Sequence, residues 1–213
     1  MDLFGQTLQP TAWQFEELAA RQGYRQVAGV DEAGRGPLAG PVVAAAVILP
    51  PGVELPGVDD SKKLTPSCRD ELYDLIFSRA ITVGVGMGDH HLIDRINILQ
   101  ATLTAMAQAV DSLVFPPDYL LIDGISRISV PIPQRTIKKG DSASISIAAA
   151  SIIAKVTRDR LMIAYDRQYP GYGFAKHKGY GCASHMAAIA ALGPCPIHRT
   201  TFRGVKEHVK GER

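Results

Sequence analysis

The sequence has 213 residues, 46% of them hydrophobic and 21% charged, which is ordinary for one globular domain or for one domain with a small appendage. It contains no apolar run near the roughly 20 residues that span a bilayer, and residues 1–10 lack the pattern of a secretory signal. Its three cysteines have no CxxC spacing, which argues against a disulfide framework and against a structural zinc site. These features argue against a membrane protein, a secreted protein and a domain held by disulfides or zinc. They predict a cytoplasmic protein without a membrane partner, and we expect it to be a monomer.

The charges are divided unevenly along the chain. Residues 151–213 hold 11 Lys and Arg against 4 Asp and Glu, a net charge of +7, whereas residues 1–150 hold 12 against 17, a net charge of −5. The basic third could be no more than a solvated surface. Beside an acidic part, however, it suits a protein that holds metal with acids and a phosphate backbone with bases.

Apolar periodicity and turn residues predict an α/β fold. Residues 11–14 match a capping box that opens a helix to residue 21, and apolar runs over 26–30 and 42–49 predict antiparallel strands across a glycine-rich turn. The other predicted elements are, in chain order, a loop over 50–63, a helix over 65–79, a strand over 81–87, a helix over 97–113, strands over 119–122 and 131–137, a helix over 141–169 and a short helix over 184–192. The 141–169 helix has a first half of small residues that must pack tightly and a charged, more exposed second half. This order predicts a mixed central sheet of about five strands with helices on its faces.

Four acidic residues lie where predicted elements start or end: Asp31 and Glu32 after the first strand, Asp123 after the fourth, and Asp141 at the start of the long helix. Open α/β sheets place their functional crevice at strand ends. Carboxylates beside an apolar run need a nearby cation, and oxygen donors without histidine or cysteine favour Mg²⁺ or Mn²⁺ over zinc. Four carboxylates can hold two such ions, roughly 4 Å apart, around a scissile phosphate, which predicts hydrolysis without a protein nucleophile.

Each acid also has an ordinary structural explanation. Asp123 with Gly124 is a common turn pair, and Asp141 could simply cap its helix. The adjacent pair Asp31 and Glu32 is harder to explain in this way, because a turn needs only one acid. Other acids in polar loops or at helix starts are expected only to be solvated or to cap helices: Asp59, Asp60, Asp89 and Asp94.

Five segments of the chain together resemble bacterial ribonuclease HII. They are VDEAGRGPLAGPVVAAAV at 30–47, DSKKL at 60–64, LIDG at 121–124, KGDSASISIAAASIIAKVTRD at 139–159 and HKGYG at 177–181. The segments occur in the order of the family over about residues 12–205, nearly the whole chain, and the first and fourth are highly specific. Small departures are Cys182, where the family commonly has Thr, and HRTTF at 198–202, which varies a related tail pattern; neither touches the acids.

The resemblance implies a fold and an activity. The fold would be ribonuclease H-like over residues 1–168, including the N-terminal helix, followed by a substrate-binding loop and small helical extension over 169–213. The activity would be endonucleolytic cleavage 5′ of a ribonucleotide, in an RNA–DNA hybrid or in duplex DNA, with two Mg²⁺ or Mn²⁺ ions. The products would carry 3′-hydroxyl and 5′-phosphate ends, and such an enzyme would remove ribonucleotides from DNA.

The resemblance also assigns site residues. The catalytic, metal-binding acids of the family fall on Asp31, Glu32, Asp123 and Asp141. Its GRG element, which contacts the 2′-hydroxyl side of the substrate, falls on Gly34, Arg35 and Gly36, and its junction-sensing tyrosine falls on Tyr180. Phosphates would be bound by Lys62, Lys63 and Lys178, with Lys176 and His177 beside them.

These assignments agree with the chemistry of the residues. The 2′-hydroxyl that marks a ribonucleotide in DNA can both donate and accept a hydrogen bond. A glycine turn offers bare N–H groups that can approach the sugar closely, and the ring of Tyr180 can stack on a neighbouring sugar or base. Ordinary alternatives remain open: Tyr180 could be a packed loop aromatic, the lysines could face solvent, and Arg35 could brace the carboxylates.

Three other functions were weighed against this one. A ribonuclease H of the same fold that cuts only longer hybrids is disfavoured by the glycine turn with Tyr180. A metal-dependent phosphohydrolase of small molecules is disfavoured by the basic last third of the chain. A non-catalytic nucleic-acid binding module is disfavoured by the four acids, because without a metal they would repel the phosphates.

Overall fold

The structure, a computed structural model, describes residues 12–58 and 65–209. Its helices are α1 (Gln14–Arg21), α2 (Pro66–Arg79), α3 (His90–Asp111), α4 (Ile145–Gln168), α5 (Phe174–His177) and α6 (Ala183–Leu192). Its strands are β1 (Val27–Ala33), β2 (Val42–Ile48), β3 (Thr82–Gly88), β4 (Tyr119–Asp123) and β5 (Gln134–Ile137). None of the helices in these ranges is long and apolar enough to cross a membrane. Several residues with sequence-based predictions lie outside the described residues: residues 1–10, the predicted capping residue Thr11, the acids Asp59 and Asp60, and the predicted phosphate-binding lysines Lys62 and Lys63.

The five strands form one mixed sheet in the order β3-β2-β1-β4-β5. β1 pairs antiparallel with β2, and β2 pairs antiparallel with β3, whereas β1–β4 and β4–β5 are parallel. The predicted fold class is thereby confirmed, and β5 is an edge strand that begins only after Pro133, as its prolines require. Because β1 and β4 are parallel neighbours, their carboxyl ends meet at one edge of the sheet, and this brings two of the predicted acidic segments together.

Helices cover both faces of the sheet. Along β2, Ala44 and Ala46 pack in the cluster that contains α3, while Ala45 and Val47 pack in the cluster that contains α2 and α4. This alternation is the period of two that a strand buried on both sides requires. The core therefore has two layers, one on each side of the sheet.

A glycine in β1 sets the position of α4. A Cβ on Gly29 would lie 2.1 Å from the carbonyl carbon of Ser146, so only glycine allows the first turn of α4 to touch the strand. Asp31 follows Gly29 by two residues and faces the same side of the sheet. The carboxylate of Asp31 consequently accepts a hydrogen bond from Ser151, which lies further along α4.

The acidic pair lies inside β1, not after it as the sequence predicted. β1 continues to pair with β2 through Asp31, Glu32 and Ala33, so the strand extends three residues beyond the predicted end. The parallel pairing with β4, in contrast, stops at Val30. The pair thus projects from the point where β1 loses one of its two neighbours.

The start of the long helix also differs from the prediction. Asp141 lies in a short 3₁₀ turn, Gly140–Ser142, and α4 begins only at Ile145. The N-cap is Ser144, whose Oγ accepts a hydrogen bond from the N–H of Ile147 at 3.3 Å. The proposal that Asp141 caps this helix is therefore wrong, and its carboxylate needs another explanation.

The other helices follow the sequence more closely. Thr65 caps α2 by accepting from the N–H of Cys68, as predicted, and Asp89 caps α3 by accepting from Leu92. α3 begins at residue 90, seven residues before the predicted start at 97. The helix is kinked at Asn97, whose φ is 68°. Asn is among the residues that tolerate this left-handed conformation.

The C-terminal segment packs against the connection between β1 and β2. Ala39 of that connection lies in one apolar cluster with Met162 of α4, Phe174 of α5 and Ile197. Further along, Asp94 of α3 accepts four hydrogen bonds of 2.6–3.0 Å from the backbone and hydroxyl groups of the next two threonines, Thr200 and Thr201. Asp94 therefore fixes the C-terminal segment to α3, and we call these four hydrogen bonds the latch. The expectation that Asp94 is merely solvated or capping is wrong.

Candidate active site

Two of the predicted acids lie at the carboxyl ends of the parallel strands β1 and β4. Asp31 is buried, with 5% of its surface exposed, and its Oδ1 accepts a hydrogen bond from the N–H of Glu32 at 2.7 Å. Asp123, the last residue of β4, is half-buried, and its Oδ1 accepts from the N–H of Gly140 at 2.6 Å. The backbone thus fixes one oxygen of each carboxylate.

These carboxylates repel one another. Burial, together with the negative charges of Glu32 and Asp123, raises the pKa of Asp31 well above its usual range. Burial also raises the pKa of Glu32, although the guanidinium of Arg35, 3.3 Å from Oε1 of Glu32, partly offsets the shift. Arg35 is half exposed, so it cannot neutralise the buried charge of Asp31. Around Asp31 itself, negative charges outweigh positive ones.

The backbone places Asp141 next to the group formed by Asp31, Glu32 and Asp123. Its 3₁₀ turn is tied to Asp123 by the N–H of Gly140, and Asp141 itself is buried. Within residues 12–58 and 65–209, no three acidic, histidine or cysteine side chains converge closely enough to form a ready-made metal site. The structure therefore brings Asp31, Glu32 and Asp123 into electrostatic contact and places Asp141 next to them in the fold.

The donor set fits a hard divalent cation. All four side chains are carboxylates, which are the ligands of Mg²⁺ and Mn²⁺, and the raised pKa of Asp31 indicates that negative charge is concentrated around this buried group. A divalent ion bound there would offset this charge, and side-chain rotations would have to complete the ligand shell.

A cleft of about 440 Å³ opens beside Glu32. Its walls contain Glu32, the predicted glycine turn Gly34-Arg35-Gly36, and Tyr180 from the loop between α5 and α6, together with Ala33, Arg69, Ser151, Ile152, Lys155 and Arg158. Residues that are far apart in the sequence, but that were predicted to contact one substrate, therefore line one cavity. Lys178 does not line this cleft, since its ammonium group contacts the carbonyl of Ala175, and Lys176 is exposed.

The backbone of Tyr180 is held on both sides, while the residue as a whole remains 48% exposed. Its N–H donates to the carbonyl of His177 at 2.9 Å, and its carbonyl accepts from the N–H of Cys182 at 2.9 Å. Nδ1 of His185 lies 3.0 Å from the same carbonyl. The side chain therefore extends into the cleft from a fixed support.

A chain of two histidines extends that support into the core. The N–H of Cys195 donates to Nδ1 of His198, so this nitrogen carries no proton, whereas Nδ1 of His185 must carry one to bond the carbonyl of Tyr180. The two Nε2 atoms are 3.0 Å apart, so His198 donates and His185 accepts, with both rings neutral. Burial, followed by the neighbouring His185, lowers the pKa of His198 to about 4, which agrees with a neutral ring.

Comparisons with known proteins show the family of the chain. The family model for ribonuclease HII matches residues 28–205. The chain belongs to the ribonuclease HII family. It is 72% identical to ribonuclease HII of Geobacter sulfurreducens over 213 residues, covering 100% of this chain and 98% of the relative. It is 71% identical to ribonuclease HII of Geobacter metallireducens over 209 residues, covering 98% of each.

A solved structure extends the likeness to the fold. The ribonuclease H2 from Pyrococcus horikoshii superposes with a TM-score of 0.73 at 28% identity, covering 86% of this chain and 96% of that one. The resemblance found in the sequence is thereby confirmed. This member of the ribonuclease HII family is an endonuclease of the ribonuclease H type that acts on RNA–DNA hybrids, in a family of metal-dependent nucleases.

Two buried arginines of this family member escaped the sequence analysis. Arg158 donates to the carbonyls of Pro41, Lys178 and Ala39 at 2.9–3.1 Å, and Arg199 donates to three further carbonyls of the β1–β2 connection. Burial and the charge of Arg158 lower the pKa of Arg199 to about 9, which still leaves it cationic at neutral pH. No local signal marks these residues, because isolated arginines are usually exposed.

Three residues that line the cleft were missed as well. Ser151 and Lys155 lie four residues apart on α4, so they share one helix face, and Arg69 lies on α2. The spacing of Ser151 and Lys155 was a usable signal, since it occurs in the segment that resembles the family most specifically. Lys155 forms an ion pair with Asp159 at 2.7 Å.

Proposed function

We propose that this endonuclease cleaves on the 5′ side of ribonucleotides, including a single ribonucleotide embedded in duplex DNA, and leaves 3′-hydroxyl and 5′-phosphate ends. The observation that carries the proposal is the shared cleft, in which an acid of the β1 pair, the glycine turn and Tyr180 face one space. Such an activity would serve to remove ribonucleotides from DNA. A cytoplasmic monomer would suffice for it.

Recognition of the ribose rests on the glycine turn and Tyr180. The ring of Tyr180 flanks Gly36, whose missing side chain leaves room for the sugar. A 2′-hydroxyl needs polar partners at close range, and backbone N–H groups supply donors without the bulk of a side chain. The exposed aromatic ring provides a flat surface on which a neighbouring sugar or base can stack.

Catalysis rests on the carboxylates. Asp31, Glu32, Asp123 and Asp141 would hold two Mg²⁺ or Mn²⁺ ions. Such ions, when bound, lower the pKa of the attacking water and stabilise the leaving 3′ oxygen. The buried Asp31 and the half-buried Asp123 keep their orientation through hydrogen bonds from backbone N–H groups. Bound metal ions would relieve their mutual repulsion.

The phosphate backbone would be bound by basic residues around the cleft. Arg35, Arg69 and Lys155 line it, and each can approach a phosphate from a different element of the fold. Lys62 and Lys63 stay candidates from the sequence. Lys178 would have to leave the carbonyl of Ala175 before it could bind a phosphate.

Cleavage of three labelled substrates tests the proposal: a DNA duplex with one ribonucleotide, the same duplex without it, and a continuous RNA–DNA hybrid. Each is incubated with Mg²⁺, Mn²⁺ or EDTA, using the wild type and Asp31→Asn. We expect metal-dependent cutting of the first and third substrates, lost in the variant, and no cutting of the second. Cutting of the continuous hybrid alone would place the protein in the hybrid-only class and contradict the proposed role of the glycine turn and Tyr180.

A further inference from the structure

Arg199 is fully buried, and it donates to three carbonyls of the β1–β2 connection. Its Nη2 bonds the carbonyl of Gly34 at 2.5 Å, its Nη1 bonds that of Arg35 at 2.9 Å, and its Nε bonds that of Gly40 at 3.0 Å. Two of the three acceptors thus belong to the glycine turn itself. Burial of a guanidinium is tolerated only when such partners satisfy it.

The direction of these carbonyls fixes the direction of two N–H groups. In a trans peptide the C=O of one residue and the N–H of the next point to opposite sides, and the described residues contain no cis peptide bond. Since the carbonyls of Gly34 and Arg35 point at Arg199, the N–H groups of Arg35 and Gly36 point away from it. Both residues are exposed and line the cleft.

Within the described part of the chain, these two N–H groups are available to a ligand. No hydrogen bond between residues of the described ranges uses the N–H of Arg35 or of Gly36. Two adjacent donors beside the Tyr180 ring form a small polar contact surface, which matches a sugar hydroxyl that can accept. The direction of these N–H groups depends on Arg199, which does not itself reach the cleft.

We propose that Arg199 is a positioning residue for ribose recognition, which aims the N–H groups of Arg35 and Gly36 at the 2′-hydroxyl by holding the carbonyls behind them. This inference rests on the proposed function, because it requires a ribonucleotide to lie beside Gly36 and Tyr180. It assigns a specificity role to a residue that touches neither the substrate nor the metal-binding acids.

The chain contains a control for general loosening. Asp94 accepts four hydrogen bonds from Thr200 and Thr201, which directly follow Arg199, and it does not line the cleft. If Arg199 served only to hold the C-terminal segment in place, loss of these bonds would matter in the same way. If Arg199 aims the turn, only its own loss changes the choice between ribose and deoxyribose.

The experiment measures binding in an Asp31→Asn background, so that the substrate stays intact. Fluorescence anisotropy with Mg²⁺ gives the Kd for two duplexes that differ only in one 2′-hydroxyl. We expect Arg199→Met to reduce the preference for the ribose-containing duplex about three- to tenfold, the effect of roughly one neutral hydrogen bond, with the Kd for the all-deoxy duplex within about twofold. Arg199→Lys, which keeps one donor and the charge, should fall between. Asp94→Asn should lower Tm but keep the preference within about twofold.

The outcomes are distinguishable. If the parent protein shows no preference for the ribose-containing duplex, the proposed function fails and this inference fails with it. If the parent shows the preference and Arg199→Met retains it, the inference is overturned while the proposed function stands. An equal loss in Asp94→Asn also overturns it, because general loosening of the C-terminal segment would then be sufficient. Thermal unfolding of each variant is measured first, and where Arg199→Met is unfolded, Arg199→Lys decides alone by the same criterion.

Discussion

The ring of Tyr180 stands directly over Gly36: its Cε1 lies 3.6 Å from the point where a Cβ on that glycine would be. The two residues are far apart in sequence and belong to different loops. Together they form one corner of the cleft, with an open backbone on one side and an aromatic surface on the other. The lack of a side chain on Gly36 therefore matters to whatever binds there more than to the fold.

Gly36→Ala should fold normally and lose activity. The added methyl group would make only ordinary van der Waals contact with Tyr180, so we expect an unchanged Tm. The same methyl group would displace a sugar packed on the turn, and a displacement near 1 Å can reduce kcat/KM by about 10²-fold. Thermal unfolding and cleavage of a single-ribonucleotide duplex check both parts.

Gly34→Ala is the contrasting variant. Gly34 has φ of +98°, and a Cβ there would lie 2.0 Å from Nε of Arg158 and 2.8 Å from the carbonyl oxygen of Pro41. We expect a loss of about 2–4 kcal/mol in the free energy of unfolding, from the left-handed backbone and the overpacking. A Gly36→Ala protein that was as unstable as Gly34→Ala would contradict the distinction between the two glycines.

Asp31→Asn should stabilise the metal-free protein and abolish cleavage. The amide keeps the acceptor for the N–H of Glu32 but removes a buried charge that repels Glu32 and Asp123. We expect a gain of about 1–2 kcal/mol in EDTA, the usual scale for relief of strain at a functional site. Asp70→Asn, which removes a surface carboxylate paired with Arg160, is the control and should change neither quantity. A destabilised Asp31→Asn would show that the charge is already compensated.

Asp94→Asn should loosen the C-terminal segment. The amide can still accept from one threonine, but its NH₂ group cannot accept from the other, so the latch to Thr200 and Thr201 loses half of its bonds. We expect a loss of about 1–2 kcal/mol, measured by urea unfolding. Asp111→Asn, at the exposed end of α3, is the matched control. An equal effect of the two substitutions would argue against the latch.

The buried His198 should make stability fall in mild acid. Burial lowers its pKa in the folded protein to about 4, below the ordinary value of 6.5, so the unfolded chain binds the proton more readily. This contribution is fully present above pH 6.5 and is lost as the pH falls towards 4. Asp31 and Glu32, whose raised pKa values act in the opposite direction, are common to wild type and variant and cancel in the difference.

The measurement for this prediction is the free energy of unfolding of wild type and His198→Gln between pH 4 and pH 7. We expect the wild type to lose more stability than the variant across this range. His91→Gln, which removes an exposed imidazole, should follow the wild type. Parallel curves for wild type and His198→Gln would mean that His198 does not remain neutral in the folded protein.

Local patterns in the sequence were sufficient for most of the fold. The Thr65-Pro66 start of α2 and the apolar runs of β1, β2 and β4 are encoded within a few residues, and the structure has them nearly where they were predicted. The kink at Asn97 was not predictable in this way. The segment before it is held by Asp94, whose partners lie 106 and 107 residues further along the chain.

The candidate site shows the same contrast between local sequence signals and contacts that only the fold creates. Its acids, glycine turn and tyrosine were found because the chemistry requires those residue types. Arg158 and Arg199 were not, because their acceptors are carbonyls 117 and 165 residues away, and a charged residue in a helix or tail is ordinarily expected to face solvent. A buried cation can be recognised only once the fold has brought its acceptors together.

The chemical nature of the product ends tests the central claim most directly. If carboxylate-held metal ions activate water and the 2′-hydroxyl is only recognised, cleavage of a duplex with one ribonucleotide must leave a DNA 3′-hydroxyl and a 5′-phosphate on that ribonucleotide. Mass spectrometry of the two fragments distinguishes these ends. A cut on the 3′ side of the ribonucleotide with a 2′,3′-cyclic phosphate would contradict the account, because the sugar hydroxyl itself would then be the nucleophile.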